Sequence, residues 1–458
     1  MAKKKQIELT IEEKLQNALV PKEEQPYKIP SNWCWVRLGN ITQIKGGKRI
    51  PKGTSLLKEN TGYKYIRVTD MKNGTVLNDD IHYISKDIYN KISNYTISKN
   101  DIYITCAGTI GRVGIIPVEF DGANLTENAD KIIIKHINKY LLVKVLSSYI
   151  VQKQIQEVIT TGCQPKLAIK KIEQLKIPLP PINEQQRIVN VIESLFAKLD
   201  EAKQLIQNTI DKFEQNKMAI LHKAFSGELT AKWREENNID LSSWQKKSIA
   251  KLCKSLKYGT AKKSSKTGSV AVLRMGNLQH GEIDWSDLVY TDDEEDIKKY
   301  LLSAGDVLFN RTNSPELVGK TSIYRGEYPA IYAGYLIKLD YGKELIGEYL
   351  NYVMNSIEAK KYCYAIKTDG VSQSNINAKK IGAFIIPVPT IEEQQAIVNI
   401  IDRIFIKYDK IKDLQAQIDK IELLKKSILA KAFRGELGTN DPNEESAEVL
   451  LRKILAEK

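Results

Sequence analysis

The chain is poor in the residues that build metal sites and redox centres. Five cysteines (Cys34, Cys106, Cys163, Cys253, Cys363) and four histidines (His82, His136, His222, His280) are spread over 458 residues. The cysteines are odd in number, scattered and never in a C-x-x-C pair, which argues against a disulfide framework and a structural zinc. They are read as structural thiols. No histidine is flanked by carboxylates at ligand spacing, so no metal is expected. No apolar run approaches the ~18 residues that a membrane span requires. The basic start, residues 1–5, meets Ile7, Glu8 and Leu9 without the apolar middle of a secretory signal, and a cytoplasmic location is expected.

Catalytic arrangements are equally scarce. No glycine-rich turn followed by a ribose-binding acid argues for a bound dinucleotide or S-adenosylmethionine, and no Ser/His/Asp or Cys/His set stands out. Gly319-Lys320-Thr321 imitates the end of a phosphate-binding loop, but Ser314 stands where its first glycine belongs. Asp340 with Glu358-Ala359-Lys360 could be forced into a metal-nuclease pattern, yet the latter pair falls in an expected helix and has no twin in the first half of the chain. No catalytic residue is expected.

What is present is charge and repetition. The net charge is +13, with 42% hydrophobic residues, an ordinary globular composition. Lysine and arginine in such excess favour nucleic acid as a partner, because cations that neutralise phosphates release condensed counterions. The length leads to an expectation of two or three domains.

Ile177-Pro-Leu-Pro-Pro-Ile-Asn-Glu-Gln-Gln-Arg-Ile-Val-Asn190 returns 209 positions later as Ile386-Pro-Val-Pro-Thr-Ile-Glu-Glu-Gln-Gln-Ala-Ile-Val-Asn399. Ala224-Phe-Ser-Gly-Glu-Leu229 returns 208 positions later as Ala432-Phe-Arg-Gly-Glu-Leu437. Fainter echoes keep the register: Trp33 with Trp244, Tyr65-Ile-Arg67 with Val272-Leu-Arg274, Ser98-x-x-Asp101 with Ser303-x-x-Asp306, and Gln164 with Gln373. A period of this size is a domain, not a solenoid unit, so the chain is a tandem duplication.

The well-matched part of each half reads as a long helix. Prolines at 178, 180 and 181, and at 387 and 389, punctuate its start, and proline is then absent until the helix is over. Ile188, Ile192, Leu195, Leu199, Ala202, Ile206, Thr209, Phe213, Asn216 and Ile220 recur in steps of four and three, the narrow seam of a coiled coil. The second copy runs Ile397, Ile401, Ile404, Tyr408 and Ile411, slips one position to Leu414, Ile418 and Ile421, and continues near Ile428. Gly227 and Gly435 provide left-handed caps. Residues 184–225 would make about 63 Å of helix, a spacer length. Two such helices most simply pack antiparallel, with globular parts at opposite ends.

The poorly matched parts read as mixed strands and short helices, an α+β domain in each half. Strands are expected at 65–68, 101–105, 131–134, 270–273 and 306–309, and helices at 139–159 and 344–361. The divisions are 1–28 (N-terminal helical segment), 29–180 (first variable domain), 181–230 (central helix), 231–387 (second variable domain), 388–437 (C-terminal helix) and 438–458 (helical tail).

Three pairs of loops are candidates for binding. Residues 38–58 and 251–281 are free of acidic residues and rich in cations, among them Lys45, Lys48, Arg49 and Lys52, and Lys257, Lys262, Lys263 and Lys266; such loops suit phosphates. A solvated lysine face is the alternative. Residues 105–114 and 310–320 follow a strand and offer Arg112, Asn310, Arg311 and Asn313, side chains able to reach base edges, with Lys320 a further DNA-binding candidate. Residues 162–166 and 370–375 offer Gln164 and Lys166, and Gln373 and Asn375. Structural turns are the alternative for both later pairs.

The residues at the helix borders carry a family resemblance. Ala18-Leu-Val-Pro21, Glu24-Gln-Pro-Tyr27, Ile29-Pro-Ser-Asn-Trp33, the Glu-Gln-Gln segments, both Ala-Phe-x-Gly-Glu-Leu motifs and Gly438-Thr-Asn-Asp-Pro442 with its following helix resemble the specificity subunits of Type I restriction-modification systems. The likeness is specific in the helices and weak in the variable domains. It implies two target recognition domains, each reading one half of a split, asymmetric duplex sequence, separated by two antiparallel coiled-coil helices that act as a ruler. It further implies docking of two modification subunits, which bind S-adenosylmethionine and methylate adenine, and of restriction subunits that use ATP and magnesium. This chain would then catalyse nothing and bind no cofactor. An N-terminal helix near 7–19 and a tail helix near 444–455 would complete a pseudo-two-fold, circular arrangement. Cys163-Gln164-Pro165 departs from Ser372-Gln373-Ser374-Asn375, which leaves the shared glutamine open to a loop-shaping role. Two other classes stay open on the residues alone: a nuclease or methyltransferase with an unrecognised site, and a coiled-coil scaffold for proteins.

Overall fold

Where proline stops, helix begins. The computed structural model describes residues 10–159, 165–371, 373–406 and 410–458. The first long helix is Ile182–Phe225, 44 residues and so about 66 Å. The second starts at Ile391, capped by the Thr390 hydroxyl, which accepts from the Glu393 amide at 3.3 Å, and is described as Ile391–Phe405 and Lys410–Ala432. Tyr408 of the expected seam lies outside the described residues. Both helices end as their glycines allow, Gly227 at φ 85° and Gly435 at φ 75°.

The chain divides into two compact units, Met1–Leu205 with Gln417–Lys458, and Ile206–Ala416. Unit 1 therefore combines both chain ends. Within it the start of the first long helix and the end of the second run antiparallel: Lys203 Nζ meets Glu422 Oε1 at 2.6 Å, and Lys425 pairs with Asp200.

Each unit has the same four-stranded antiparallel sheet. In unit 1 the order is Thr42–Gly46, Ala129–Ile134, Ile102–Thr105, Val113–Ile115; in unit 2 it is Cys253–Tyr258, Leu336–Tyr341, Val307–Asn310, Thr321–Ile323. Ser98 and Ser303 open the turn that leads into the third strand of each order, their amides donating to Asp101 Oδ2 at 2.9 Å and Asp306 Oδ2 at 2.8 Å. A second sheet in each unit holds one parallel pair, Lys64–Ile66 with Ala123–Leu125 and Val270–Leu273 with Ala330–Tyr332. The first strand of each variable domain pairs with its last, Cys34–Arg37 with Lys176–Leu179 and Gln245–Ser248 with Ile385–Val388, which closes the domain just before its long helix.

Each sheet's apolar face packs on helices. In unit 1, Ile102, Ile104 and Ile132 join Leu142, Leu146, Ile188 and Ile192; in unit 2, Val307, Phe309, Ile337 and Leu339 join Leu350, Leu221, Ile397 and Ile401. The opposite face covers a smaller core around Ile66, Met71, Val76 and Tyr103, or Leu273, Leu278, Leu308 and Tyr332. Burial of this extent, at about 25 cal/mol per Å² of apolar surface, is what holds each unit together.

The shorter helices differ in extent from the expected ones. The stretch expected at 139–159 is two helices, Lys139–Leu146 and Tyr149–Val158, and that at 344–361 is Gly347–Met354 and Ile357–Ile366. The chain turns because Ser356 caps a new helix, its hydroxyl accepting from the Ala359 amide at 3.2 Å. The N-terminal helix is described as Ile11–Ala18, and the tail helix starts later than expected, as Ala447–Ala456, where Ser446 caps it. Arg452 pairs with Glu12, joining these two helices within unit 1.

Candidate nucleic-acid interface

The loop after the Ile102–Thr105 strand and the one after Val307–Asn310 are framed by the same two bonds. Thr105 N donates to Arg112 O at 2.9 Å and Gly111 N to Thr105 O at 2.8 Å; Asn310 N donates to Lys320 O at 2.8 Å and Gly319 N to Asn310 O at 2.9 Å. The two loops are structural equivalents, although the second is longer and shares almost no residues with the first.

In unit 2 the three candidate segments meet. The Arg311 guanidinium lies 4.9 Å from the ring centroid of Tyr258, which ends the strand carrying Lys257. Arg311 Nη2 donates to Asn375 Oδ1 at 3.1 Å, and Asn375 Nδ2 donates to Thr312 Oγ1 at 2.8 Å. A small sheet of Thr312–Asn313, Ser374–Asn375 and Thr368–Asp369 fixes this junction. Asn313 is half-buried and its Oδ1 accepts from Ser314 N at 2.8 Å; Gln373 is exposed, and its carbonyl accepts from Gly370 N at 2.8 Å.

Two expectations for this unit need correction. Asn310 does not reach outward: the strand runs one residue further than expected, leaving Asn310 0% exposed, with its Oδ1 accepting from Thr312 N at 3.2 Å. Lys262 is not a free cation. Its Nζ lies 2.7 Å from Asp293 and 3.7 Å from both Glu295 and Asp296, and the bond to Asp293 above all tightens its hold on the proton. Lys263 and Lys266 are exposed beside it, Lys257 Nζ is 3.8 Å from Asp340, and Lys320 Nζ donates to Gln279 Oε1 at 2.8 Å.

Unit 1 converges likewise. Ala107 bridges to Lys166, and Leu167 N donates to Cys106 O at 2.9 Å, which brings residues 165–167 to the loop after the strand; Gln164 lies outside the described residues. Lys45 is exposed opposite Lys131. At Gly47 a Cβ would stand 2.0 Å from the Thr126 carbonyl oxygen, and at Gly259 2.0 Å from that of Tyr332, so glycine lets each basic segment cross close over the sheet edge. Beyond this crossing Lys48 N donates to Leu125 O at 2.8 Å, its ammonium lies 5.4 Å from the Tyr95 ring, and Arg49 Nε donates to Glu127 Oε1 at 2.6 Å. Lys52 is exposed. Arg112 is also exposed, with Nη1 donating to Met71 O at 3.3 Å.

Beneath the unit 1 convergence Asp130 is buried, its Oδ2 unpartnered among the described residues. Burial raises its carboxyl to about 6, against the opposing pull of Cys106 and Lys166. Burial also pushes the thiols of Cys34, Cys106, Cys253 and Cys363 up to about 12, so these are inert at neutral pH. The carboxylates of the forced nuclease pattern are otherwise engaged, Asp340 by Ser255 and Glu358 by His222. Among the described residues no group of three metal-ligating side chains occurs, and no helix is long and apolar enough to cross a membrane. Reading the sequence missed Tyr258 and Thr312, because their partners lie 53 and 63 residues away in the chain.

The model of the Type I restriction modification DNA specificity domain matches residues 30–212 and again 242–420. The chain is similar to the Type I restriction enzyme EcoKI specificity subunit of Escherichia coli strain K12, 26% identical over 458 residues, covering 94% of this chain and 96% of that one. The StySPI specificity subunit of Salmonella potsdam is 25% identical with the same coverage. A solved chain from the complex assembly and conformational transition of the type I R-M system shares the fold, with a TM-score of 0.66 at 19% identity over 90% of this chain and 100% of that one.

Proposed function

Because this chain belongs to the Type I restriction-modification DNA specificity family, we propose that it reads a bipartite, asymmetric duplex sequence, one half in each unit, and catalyses nothing itself. The carrying observation is the contrast within the duplication. Both units gather three segments at one end of the same sheet, but the side chains gathered differ: Tyr258, Arg311, Thr312 and Asn375 in one, Lys48, Arg49, Ala107 and Lys166 in the other. Two equal scaffolds with unlike tips suit two unlike base sequences. Lys45, Lys52, Lys257, Lys263 and Lys266, exposed on the basic segments, would add phosphate contacts.

The borders of the long helices are nearly identical in the two halves, which suits one partner bound twice. That partner is the modification subunit, which carries S-adenosylmethionine and methylates adenine. Restriction subunits using ATP and magnesium complete the assembly in the cytoplasm.

The test is selection from a pool of random duplexes by the full chain assembled with its modification subunit. Enrichment of one split sequence with a constant gap is expected, and recovery of no common sequence overturns the reading. Lengthening both long helices by two turns, about 10 Å, should widen the tolerated gap by about three base pairs while keeping both half-sites. An unchanged gap would sink the ruler role.

A further inference from the structure

A second electropositive feature recurs in both units, apart from the converging tips. In unit 1 the hairpin of Met71–Lys72 and Thr75–Val76 turns through Asn73 at φ 53° and Gly74 at φ 73°, and Gly74 O accepts from Ile115 N at 3.0 Å. In unit 2 the hairpin of Leu278–Gln279 and Glu282–Ile283 turns through His280 at φ 53° and Gly281 at φ 90°, and Gly281 O accepts from Ile323 N at 3.1 Å. Gly111 packs against Ile155 as Gly319 packs against Cys363, which aligns the following helices. By these matches Lys72, Asn73, Arg112 and Gln152 correspond to Gln279, His280, Lys320 and Lys360.

In unit 1 these residues surround a cleft of about 530 Å³, whose wall has no acidic side chain among the described residues. Its polar groups are fixed by hydrogen bonds: Gln152 Nε2 donates to Gly111 O at 2.9 Å and Leu146 O at 2.7 Å, and Arg112 is held on Met71 O. In unit 2, Lys320 is fixed on Gln279. Lys217 and Glu214 of the first long helix add a further cation and a carboxylate that act on His280 and Lys360. Burial lowers the proton affinity of Lys360; Glu214 opposes that shift, and Lys217 and Lys320 add to it. His280 is depressed in the same way, by burial and then by Lys217, Lys320 and Lys360 against Glu214. Three lysines beside one glutamate leave a net positive charge, which an anion bound among them would neutralise.

We propose that the unit 1 cleft and the equivalent position in unit 2 each hold a phosphodiester of the duplex backbone, through Lys72 and Arg112 in unit 1 and through Lys320, Lys360 and Lys217 in unit 2. The inference rests on the DNA-reading function above and divides it. Phosphates are the same in every sequence, so a backbone contact keeps its place in both units, whereas the tips that read bases diverge. Arg112 thereby moves from base reading to anchoring, alongside Lys320.

The experiment titrates potassium chloride against binding of a random-sequence duplex of about 50 base pairs by the full chain with its modification subunit. The double variant Lys320→Gln/Lys360→Gln should weaken binding about tenfold near 0.15 M salt and reduce the slope of log affinity against log salt by about one, leaving the sequence selected from a random pool unchanged. Lys72→Gln/Arg112→Gln should do the same from the other unit, which separates the effect from misfolding of either. Lys320→Arg should retain the wild-type slope. An unchanged slope in both double variants, or an altered selected sequence, overturns the cleft while the DNA-reading function stands. Failure of the unaltered complex to bind any duplex overturns both.

Discussion

The indole Nε1 of Trp33 donates to Glu184 Oε2 at 2.7 Å, and Trp244 Nε1 to Glu393 Oε2 at the same distance. Each glutamate is fully buried and also takes a hydroxyl from the segment that follows the other long helix: Thr439 on Glu184 at 2.9 Å, Thr230 on Glu393 at 2.7 Å. Asn440 completes the first site and Arg234 the second. The repeated glutamate thus ties three pieces of chain together within its unit: the start of a variable domain, the helix that leaves it, and the segment after the opposite helix. Glu184→Ala would strand the Trp33, Thr439 and Asn440 donors. A loss of roughly 3–5 kcal/mol is expected in urea denaturation, with faster hydrogen exchange at 439–441. A loss below about 1 kcal/mol would show that the tie carries little.

Asp130 provides a pH test. Its folded carboxyl titrates at about 6 and its unfolded one near 3.9, so its contribution is full below pH ~4 and is lost as pH rises through 6. At pH 7 the buried charge costs on the order of 2–3 kcal/mol. Asp130→Asn should raise the urea midpoint at pH 7 and leave it unchanged at pH 4. An equal gain at both pH values would contradict the burial account.

Helices and their limits were legible because proline, the apolar seam and the capping glycines are local. The tie at Glu184 was not, since Thr439 stands 255 residues away and lies just beyond the repeated motif. Glu-Gln-Gln reads as a border motif in sequence; in the structure Gln185 and Gln394 accept from the amides of Asn138 and Ile346, both at 2.9 Å, so each letter has its own partner. The same limit explains Lys262. A stretch free of acids looks like a phosphate surface until the chain returns with Asp293, Glu295 and Asp296.

That return separates the lysines of the second basic segment. Lys262→Gln should leave duplex affinity unchanged, whereas Lys263→Gln/Lys266→Gln should weaken it several-fold in a salt-dependent manner, read by anisotropy across salt concentrations. An equal fall from Lys262→Gln alone would place that ammonium on DNA despite its three carboxylates.

On the proposed reading Arg311 contacts a base; its guanidinium is held by Asn375 and lies 4.9 Å from the Tyr258 ring centroid. Arg311→Ala should relax one position of one half-site by about 1–3 kcal/mol and leave the other half-site alone. Arg311→Lys should not restore it, because an ammonium lacks the planar fork and the stacking face. Relaxation of both half-sites, measured by selection from random duplexes, would contradict the one-unit, one-half division.

Mapping every methylated adenine in a genome that expresses this chain with its modification subunit tests the division most directly. The expected result is a single motif of two unlike half-sites at one fixed gap. A continuous motif, a palindrome of equal halves, or methylation without a common sequence would contradict it.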